Sequence, residues 1–369
     1  MSRRSDFDFA RATRDDEPEI RALVGGLAMP GRVSVRFERE PDYFLGTTTQ
    51  GDPCDVLIAR HQPDGALAAV MVRAERSVFI NGEPARVAYI GQIRIAPRFW
   101  GRWLMQRAVL EVAELHDRSI PYLGVIAGDN PVALGAIAGR RPPGAPAVAR
   151  VARLRSLAFV LHDRWNRTST SLPVEWGKQA NLVEVVEFLR SHGRRRQLFP
   201  VIEREHLTNG STYRGLRLED VRIVRRDGEV AGVLGSWDQS GYKQEIVAGY
   251  GAGLHRLRPG YDLLARLLGA PPLPRPGQPI RTAFGCLRCV ADDDPDVLRA
   301  LLTAARERAR RQRQSFLLVA FDERDPQLRR LGRPLHVSYR SDVFLGSFSA
   351  EDIGATLDDR PACVEIGTL

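Results

Sequence analysis

The chain repeats itself, and this constrains its fold more than any other feature. Asp55-Val-Leu-Ile-Ala-Arg60 and Asp64-Gly65-Ala-Leu-Ala-Ala-Val70 read as a β-hairpin, because Asp-Gly between alternating apolar runs favours a tight strand reversal. Asp220-Val-Arg-Ile-Val-Arg225 and Asp227-Gly228-Glu-Val-Ala-Gly-Val233 repeat that hairpin 163 to 165 positions later. Each hairpin follows a helical pattern, Ile20, Leu23, Val24 and Leu27 in one case and Val183, Val186 and Leu189 in the other. Downstream come a strand (87–96), an amphipathic helix (104–115) and a strand from Tyr122 that ends in Gly128-Asp-Asn130-Pro131. Their counterparts are 284–291, 297–310 and the stretch from Phe316 to Pro326, at an offset of about 195. The Pro-, Gly- and Arg-rich stretch 250–279 accounts for the longer offset and is expected to be a turn-rich connection draped over the surface.

Two copies of one α+β domain are therefore expected, residues 1–165 and 170–369, joined at the polar stretch Arg164–Ser171. Each has the order helix, hairpin, strand, helix, strand, helix, strands. A strand, a crossover helix and a second strand make a parallel pair inside an otherwise antiparallel sheet. Where two such strands part, a crevice opens at their carboxyl ends.

Composition narrows the classes. With 369 residues, 43% apolar and 27% charged, each half is long enough for its own core, and disordered or fibrous classes are excluded. No window nears 18 uninterrupted apolar residues and Met1-Ser-Arg-Arg starts no apolar leader, so a cytoplasmic chain without membrane contact is expected. Four cysteines are too few for a disulfide scaffold, and Cys286 and Cys289, three apart in a strand, are expected as core thiols on opposite faces. No HxH or HExxH spacing points to a metal. The net charge of +9, nearly all from arginine, suits an anionic ligand such as a phosphate-bearing cofactor. Nucleic acid is disfavoured because no aromatic–basic motif accompanies the charge.

The strand-to-helix turn of the first copy is Ile93-Arg94-Ile95-Ala-Pro97-Arg98-Phe-Trp100-Gly101-Arg102-Trp103-Leu104-Met105-Gln-Arg107. Pro97 ends the strand, Gly101 allows a sharp turn, and the free amides of the helix's first turn with Arg98, Arg102 and Arg107 suit a phosphate. The same position in the second copy reads Ala291-Asp292-Asp293-Asp294-Pro295-Asp296. Asp caps a helix well, but four carboxylates repel a pyrophosphate. That copy is expected to bind no nucleotide.

The order of elements and the Ile-Ala-Pro-x-x-x-Gly-Arg turn resemble the GNAT superfamily of acyl-CoA-dependent N-acyltransferases, here in tandem over nearly the whole chain with a degenerate second copy. The resemblance implies two GNAT-like domains, each a mixed, mainly antiparallel sheet with a central parallel strand pair flanked by helices. It implies acetyl-CoA or another acyl-CoA as donor and a small-molecule or peptide amine as acceptor. Ile93, Arg94 and Ile95 then lend backbone groups to the pantetheine arm and acyl carbonyl. Arg98, Trp100, Gly101, Arg102, Trp103, Leu104 and Met105 wrap the pyrophosphate, and Asn130 contacts cofactor or acceptor. Trp100, Trp103 and Met105 replace the Gln/Arg, Gly and Gly/Ala of the family loop; Gly101-Arg102 matches. The family uses a Glu base and a Tyr acid. No tyrosine lies between Asn130 and Phe159, so solvent or a substitute such as Tyr89 or Tyr122 is expected as the acid, and Glu38 or Glu40, in the segment 36–44, as the base. Trp237, Asp238, Gln239, Tyr242, Lys243 and Tyr250 form a polar aromatic cluster that suits either an acceptor pocket or a hairpin end. A carrier-protein or aminoacyl-tRNA donor, or a non-catalytic binding protein, are the alternatives.

Overall fold

The computed structural model describes residues 6–29, 31, 33–101, 104–139, 144–162, 172–332, 334–348 and 353–369. The expected join at Arg164–Ser171 lies outside the described residues. The first half supplies β1 (Phe7–Arg11), β2 (Ala28–Met29), β3 (Val33–Glu38), β4 (Cys54–His61), β5 (Leu67–Ile80), β6 (Glu83–Ile95), β7 (Tyr122–Ala127) and β8 (Ala147–Val160). Its helices are α1 (Glu17–Gly26), α2 (Tyr43–Thr47), α3 (Leu104–Leu115) and α4 (Pro131–Ala138). The second half supplies β9 (Val174–Trp176), β10 (Val221–Arg226), β11 (Glu229–Asp238), β12 (Gln244–Tyr250), β13 (Thr282–Val290), β14 (Phe316–Asp322) and β15 (His336–Ser347). With them come α5 (Leu182–Gly193), α6 (Arg204–Thr208), α7 (Ala252–Leu268), α8 (Pro295–Arg311) and α9 (Pro326–Arg330).

One twelve-stranded mixed sheet runs through both halves in the order β1-β4-β5-β6-β7-β15-β8-β14-β13-β11-β10-β9. Only β6–β7 and β13–β14 pair in parallel among the described strands. The last strands are exchanged: β15 of the second half lies beside β7 of the first, and β8 of the first lies beside β14 of the second. β8 and β15 pair with each other along twelve residues, so the two halves share a seam of backbone hydrogen bonds. A second, three-stranded sheet sets β12 antiparallel to β3, which in turn pairs with β2.

Period-two alternation decides the faces. Val56 and Ile58 of β4 pack with Ile20 and Val24 of α1, while Leu57 between them packs with Ala108 and Val112 of α3. The second half repeats this division. Ile223 and Val233 meet Leu182, Val185 and Leu189 of α5, whereas Val224 and Leu234 meet Val297, Leu301 and Ala305 of α8. Each buried side chain of this size contributes roughly 1.5–3 kcal/mol. At Gly232 a Cβ would stand 2.5 Å from Val297 Cγ1, so α8 lies against bare backbone there.

Two expectations need correction. The stretch 250–279 holds a 17-residue helix, α7, despite Pro259 inside it. Its own side chains satisfy the proline-rich backbone that follows: Arg258 and Tyr261 donate to the Leu273 and Pro271 carbonyls, and Asp262 accepts from the Leu273 amide. Cys286 and Cys289 share one face, because an extra residue between them shifts the alternation. Both are buried free thiols in the core with Cys363.

Candidate active site

β6 and β7 pair only at Ala88–Tyr122 and Tyr89–Leu123. Beyond that point β6 continues along β5 to Ile95 while β7 follows β15, so a V opens at their carboxyl ends. A bulge lies just past the branch: Val72 faces Gly91 and Val70 faces Arg94, leaving Gln92 and Ile93 opposite Met71, with Gln92 at φ 54°. The second half builds the same V. β13 and β14 pair from Thr282–Phe316 to Phe284–Leu318, and a bulge then places Leu287 and Arg288 opposite Leu234, with Leu287 at φ 56°. Gln92 and Leu287 are 195 positions apart, the offset of the sequence repeat.

The contents of the two Vs differ. In the second, Glu365 of the C-terminal segment enters the gap and accepts hydrogen bonds from the Leu287 amide at 2.5 Å and the Tyr213 hydroxyl at 2.7 Å. Cys363 and Ile366 flank it in the core, and Gly367 packs on Trp237. Burial raises the Glu365 carboxyl above its ordinary range although both hydrogen bonds oppose the shift. In the first V no side chain among the described residues accepts from the Gln92 backbone amide, the counterpart of the Leu287 amide that Glu365 holds.

Tyr89 stands at the branch of the first V. Its hydroxyl lies over Gly91 so closely that a Cβ there would sit 2.0 Å from it, and Arg76 covers its ring at 4.8 Å. Burial raises the phenol. Arg39, 4% exposed, donates to the Glu38 carbonyl at 2.9 Å and to Gln92 Oε1 at 3.1 Å. Arg94 donates to the Ile93 carbonyl at 2.9 Å and lies 5.6 Å from the Phe37 ring centre. The second half contributes Lys243, one of two lysines in the chain, and Glu245. Lys243 donates to the Leu369 oxygen at 2.8 Å and the Gly367 carbonyl at 3.3 Å, and burial pushes its ammonium down to about 7. Glu245 sits opposite Phe37 in the β3–β12 pairing, and burial raises its carboxyl.

The turn after β6 is partly engaged. Trp100, 66% exposed, donates its indole N–H to the Ile95 carbonyl at 2.9 Å. Gly101 has φ 77° and open space where a Cβ would be. Arg98 pairs with Asp64 at 3.1 Å, and Arg107 turns back over the Phe9 ring. Leu104 and Met105 face inward and, with Ile93 and Ile95, line an apolar cavity of about 20 Å³, room for one water-sized sphere. Arg102 and Trp103 lie outside the described residues.

The remaining site residues stand apart from the V. Tyr122 lies on the opposite face of the sheet from Tyr89, packed with Ala108 and Val112 beneath α3. Glu40 is exposed and ion-paired with Arg21. Asn130 caps α4, accepting from the Ala133 amide at 3.0 Å. The acidic turn of the second half is structural. Asp294 accepts from the Asp296 and Val297 amides of α8, and Asp292, Asp293 and Asp294 pair with Arg195, Arg196 and Arg226. Reasoning on the sequence missed Arg39, Arg94 as a side chain, and Glu245. Arg39 lies in an alternating charged run that reads as surface, and only the β3–β12 pairing brings Glu245 to the crevice.

No known protein-family profile and no curated protein sequence matches the chain. Solved structures do. Saccharomyces cerevisiae N-myristoyltransferase with bound myristoyl-CoA superposes with a TM-score of 0.60 at 10% identity, over 98% of this chain and 89% of that one. A GCN5-related glucosamine N-acetyltransferase region of a fungal multi-domain β-N-acetylglucosaminidase gives 0.56 at 11% identity, over 92% of this chain and 38% of that one. A GCN5-related N-acetyltransferase from Anabaena variabilis gives 0.52 at 11% identity, over 93% and 73%. No described helix is long and apolar enough to cross a membrane. At these identities the likeness is one of fold: the chain has the two-lobed GNAT-type fold that N-myristoyltransferase also has.

Proposed function

We propose that the protein is an acyl-CoA-dependent N-acyltransferase, built from two copies of one domain (1–165 and 170–369), with its working cleft in the first. One observation carries the reading. At matching bulges, the Leu287 amide is bonded to an internal carboxylate oxygen, while the Gln92 amide has no side-chain acceptor among the described residues. An acyl carbonyl placed in the first V meets the amide that Glu365 meets in the second, and a donor aimed at developing negative charge there accelerates acyl transfer.

The residues present fit a coenzyme A thioester. Ile93, Arg94 and Ile95 form a strand edge with no neighbour on the β7 side, and Gly101 leaves open space beside the turn. The pyrophosphate falls to the turn from Arg98 to Met105, and Trp100 gives up the Ile95 carbonyl when the pantetheine arm lies along β6. As the amine nitrogen bonds to the acyl carbon and the C–S bond breaks, Tyr89, whose hydroxyl lies at the branch, gives its proton to the departing sulfur and recovers one from the nitrogen. Tyr122 and Glu40 have no such placement. The cavity under Ile93 and Ile95 lies between the sheet and α3 with room for one water-sized sphere and so gives a long acyl chain no slot there, and acetyl or another short group is the donor proposed. The acceptor amine, from a small molecule or a peptide, enters from the crevice between β3–β12 and the V.

Calorimetric titration of the full chain with acetyl-CoA, octanoyl-CoA and myristoyl-CoA tests this. The reading expects acetyl-CoA to bind at least as tightly as myristoyl-CoA, and Gly101→Asp to abolish binding without unfolding the chain. Failure of every thioester to bind, or undiminished binding in Gly101→Asp, overturns it.

A further inference from the structure

Three arginines, Arg39, Arg76 and Arg94, act on Tyr89 at the mouth of the first V, and none has a side-chain carboxylate within ion-pair distance among the described residues. Arg39 is nearly inaccessible and spends its fork on one carbonyl and one amide side chain. Arg94 makes one hydrogen bond to a carbonyl and a long contact to Met29 Sδ, and its Nε is buried without a partner. Arg76 donates to Thr368 and likewise leaves Nε unpartnered. Lys243 lies beyond them, donating to the Gly367 carbonyl and the Leu369 oxygen with its ammonium 5.0 Å from the centre of the Phe284 ring. They form one cluster: Arg39, Arg76 and Arg94 all act on Tyr89, and Arg39 acts on Lys243. Desolvation lowers every one of them, Arg39 to about 10. Facing them are Glu245, half-buried and beyond ion-pair distance, and Glu365 of the second V, which acts on Arg76 without pairing with it, while Glu38 beside Glu245 is paired with Arg36. Arg222 and Arg306 are also buried without an ion pair, but each stands singly; here three such arginines converge on one tyrosine.

Buried charge without a partner is costly, and a surplus of one sign in a cleft marks a place where the other sign arrives with a ligand. We propose that this cluster is the anion site of the acceptor, so that the amine acylated carries an oxyanion, a carboxylate or a phosphate, a few bonds from its nitrogen. The inference rests on the N-acyltransferase reading and names its acceptor class. The planar forks of Arg39 and Arg94 hold the oxyanion. The same positive surroundings disfavour an ammonium, so the bound amine sheds its proton more readily and presents a free electron pair to the acyl carbon.

Thermal unfolding of the full chain in sulfate, against chloride at equal ionic strength, reads the site without needing turnover. Sulfate should raise Tm in the wild type, and Arg94→Gln should remove at least half of that rise. Arg94→Gln should melt no lower than the wild type in chloride, since it removes a partnerless buried charge. Arg39→Gln should lose the sulfate response as well; if it fails to fold, Arg94→Gln decides alone. An undiminished sulfate response in Arg94→Gln overturns the proposal. Calorimetry with glycylglycine, phosphoethanolamine and the uncharged-end control glycinamide then separates carboxylate from phosphate. At least tenfold tighter binding of one anionic amine, lost in Arg94→Gln, is expected, and equal binding of glycinamide overturns the proposal. If Arg94→Gln instead loses coenzyme A affinity, the cluster serves the donor and this inference fails while the N-acyltransferase reading stands. If the wild type binds an anionic amine but no coenzyme A, that reading fails and the anion site stands.

Discussion

Replacing Glu365 by alanine tests whether the second V is held shut from within. The carboxylate accepts from the Leu287 amide and the Tyr213 hydroxyl in a core where Glu365 is 7% exposed. Alanine leaves both donors buried without an acceptor, at about 1–3 kcal/mol each, so a loss of about 2–6 kcal/mol is expected. Glutamine keeps an acceptor at the same place and should lose about 1–2 kcal/mol. Urea unfolding at pH 7, read as the shift in midpoint at constant slope, measures both. The pH dependence gives an independent check. Burial raises the Glu365 carboxyl, so the folded state binds its proton more tightly than the unfolded chain does. That contribution is complete below about pH 4.5 and is lost as pH rises through the folded value. Glu365→Gln should flatten that decline. A loss below about 1 kcal/mol in Glu365→Ala would refute the argument that this carboxylate fills the second cleft.

Three further outcomes follow from the same geometry. Tyr89→Phe should lower kcat by roughly ten- to a thousandfold with acyl-CoA affinity preserved, whereas Tyr122→Phe, on the α3 face, should keep its rate in steady-state assays. Lys243 is depressed to about 7, so the unfolded chain binds more protons than the folded one between there and 10.5 and wild-type stability should rise with pH over that range. Lys243→Met should lose that slope in denaturation curves taken across it. Asp294→Ala removes the cap of α8 and the partner of Arg226, and should cost about 1–2 kcal/mol in urea unfolding with no change in acyl-CoA affinity.

Much of this architecture was legible because it is local or periodic. The hairpins, α3 at 104–115, β14 from Phe316 and the 195-residue offset all follow from alternation, helical spacing and Asp-Gly turns. The strand exchange was not legible, since nothing local in β8 or β15 says which half's sheet it joins. The bulges were equally silent, because neither Gln92 nor Leu287 is a residue type that favours a left-handed backbone. That silence explains the misplaced Cys289, whose face depends on the bulge. At the site, β6 and its turn were found as one continuous segment. Arg39, Lys243 and Glu245 come from distant strands that only the β3–β12 pairing unites, and a charged run such as 36–40 looks the same whether its middle arginine is solvated or buried.

The central claim is that one V is open for a thioester and its twin is filled by the chain itself. Hydrogen exchange of the full chain with and without acetyl-CoA tests it most directly. The account predicts ligand-dependent protection along 90–95 and 124–127, with 285–290 already slow in the free protein and unchanged on binding. Protection appearing around Leu287, or none along β6, would contradict it.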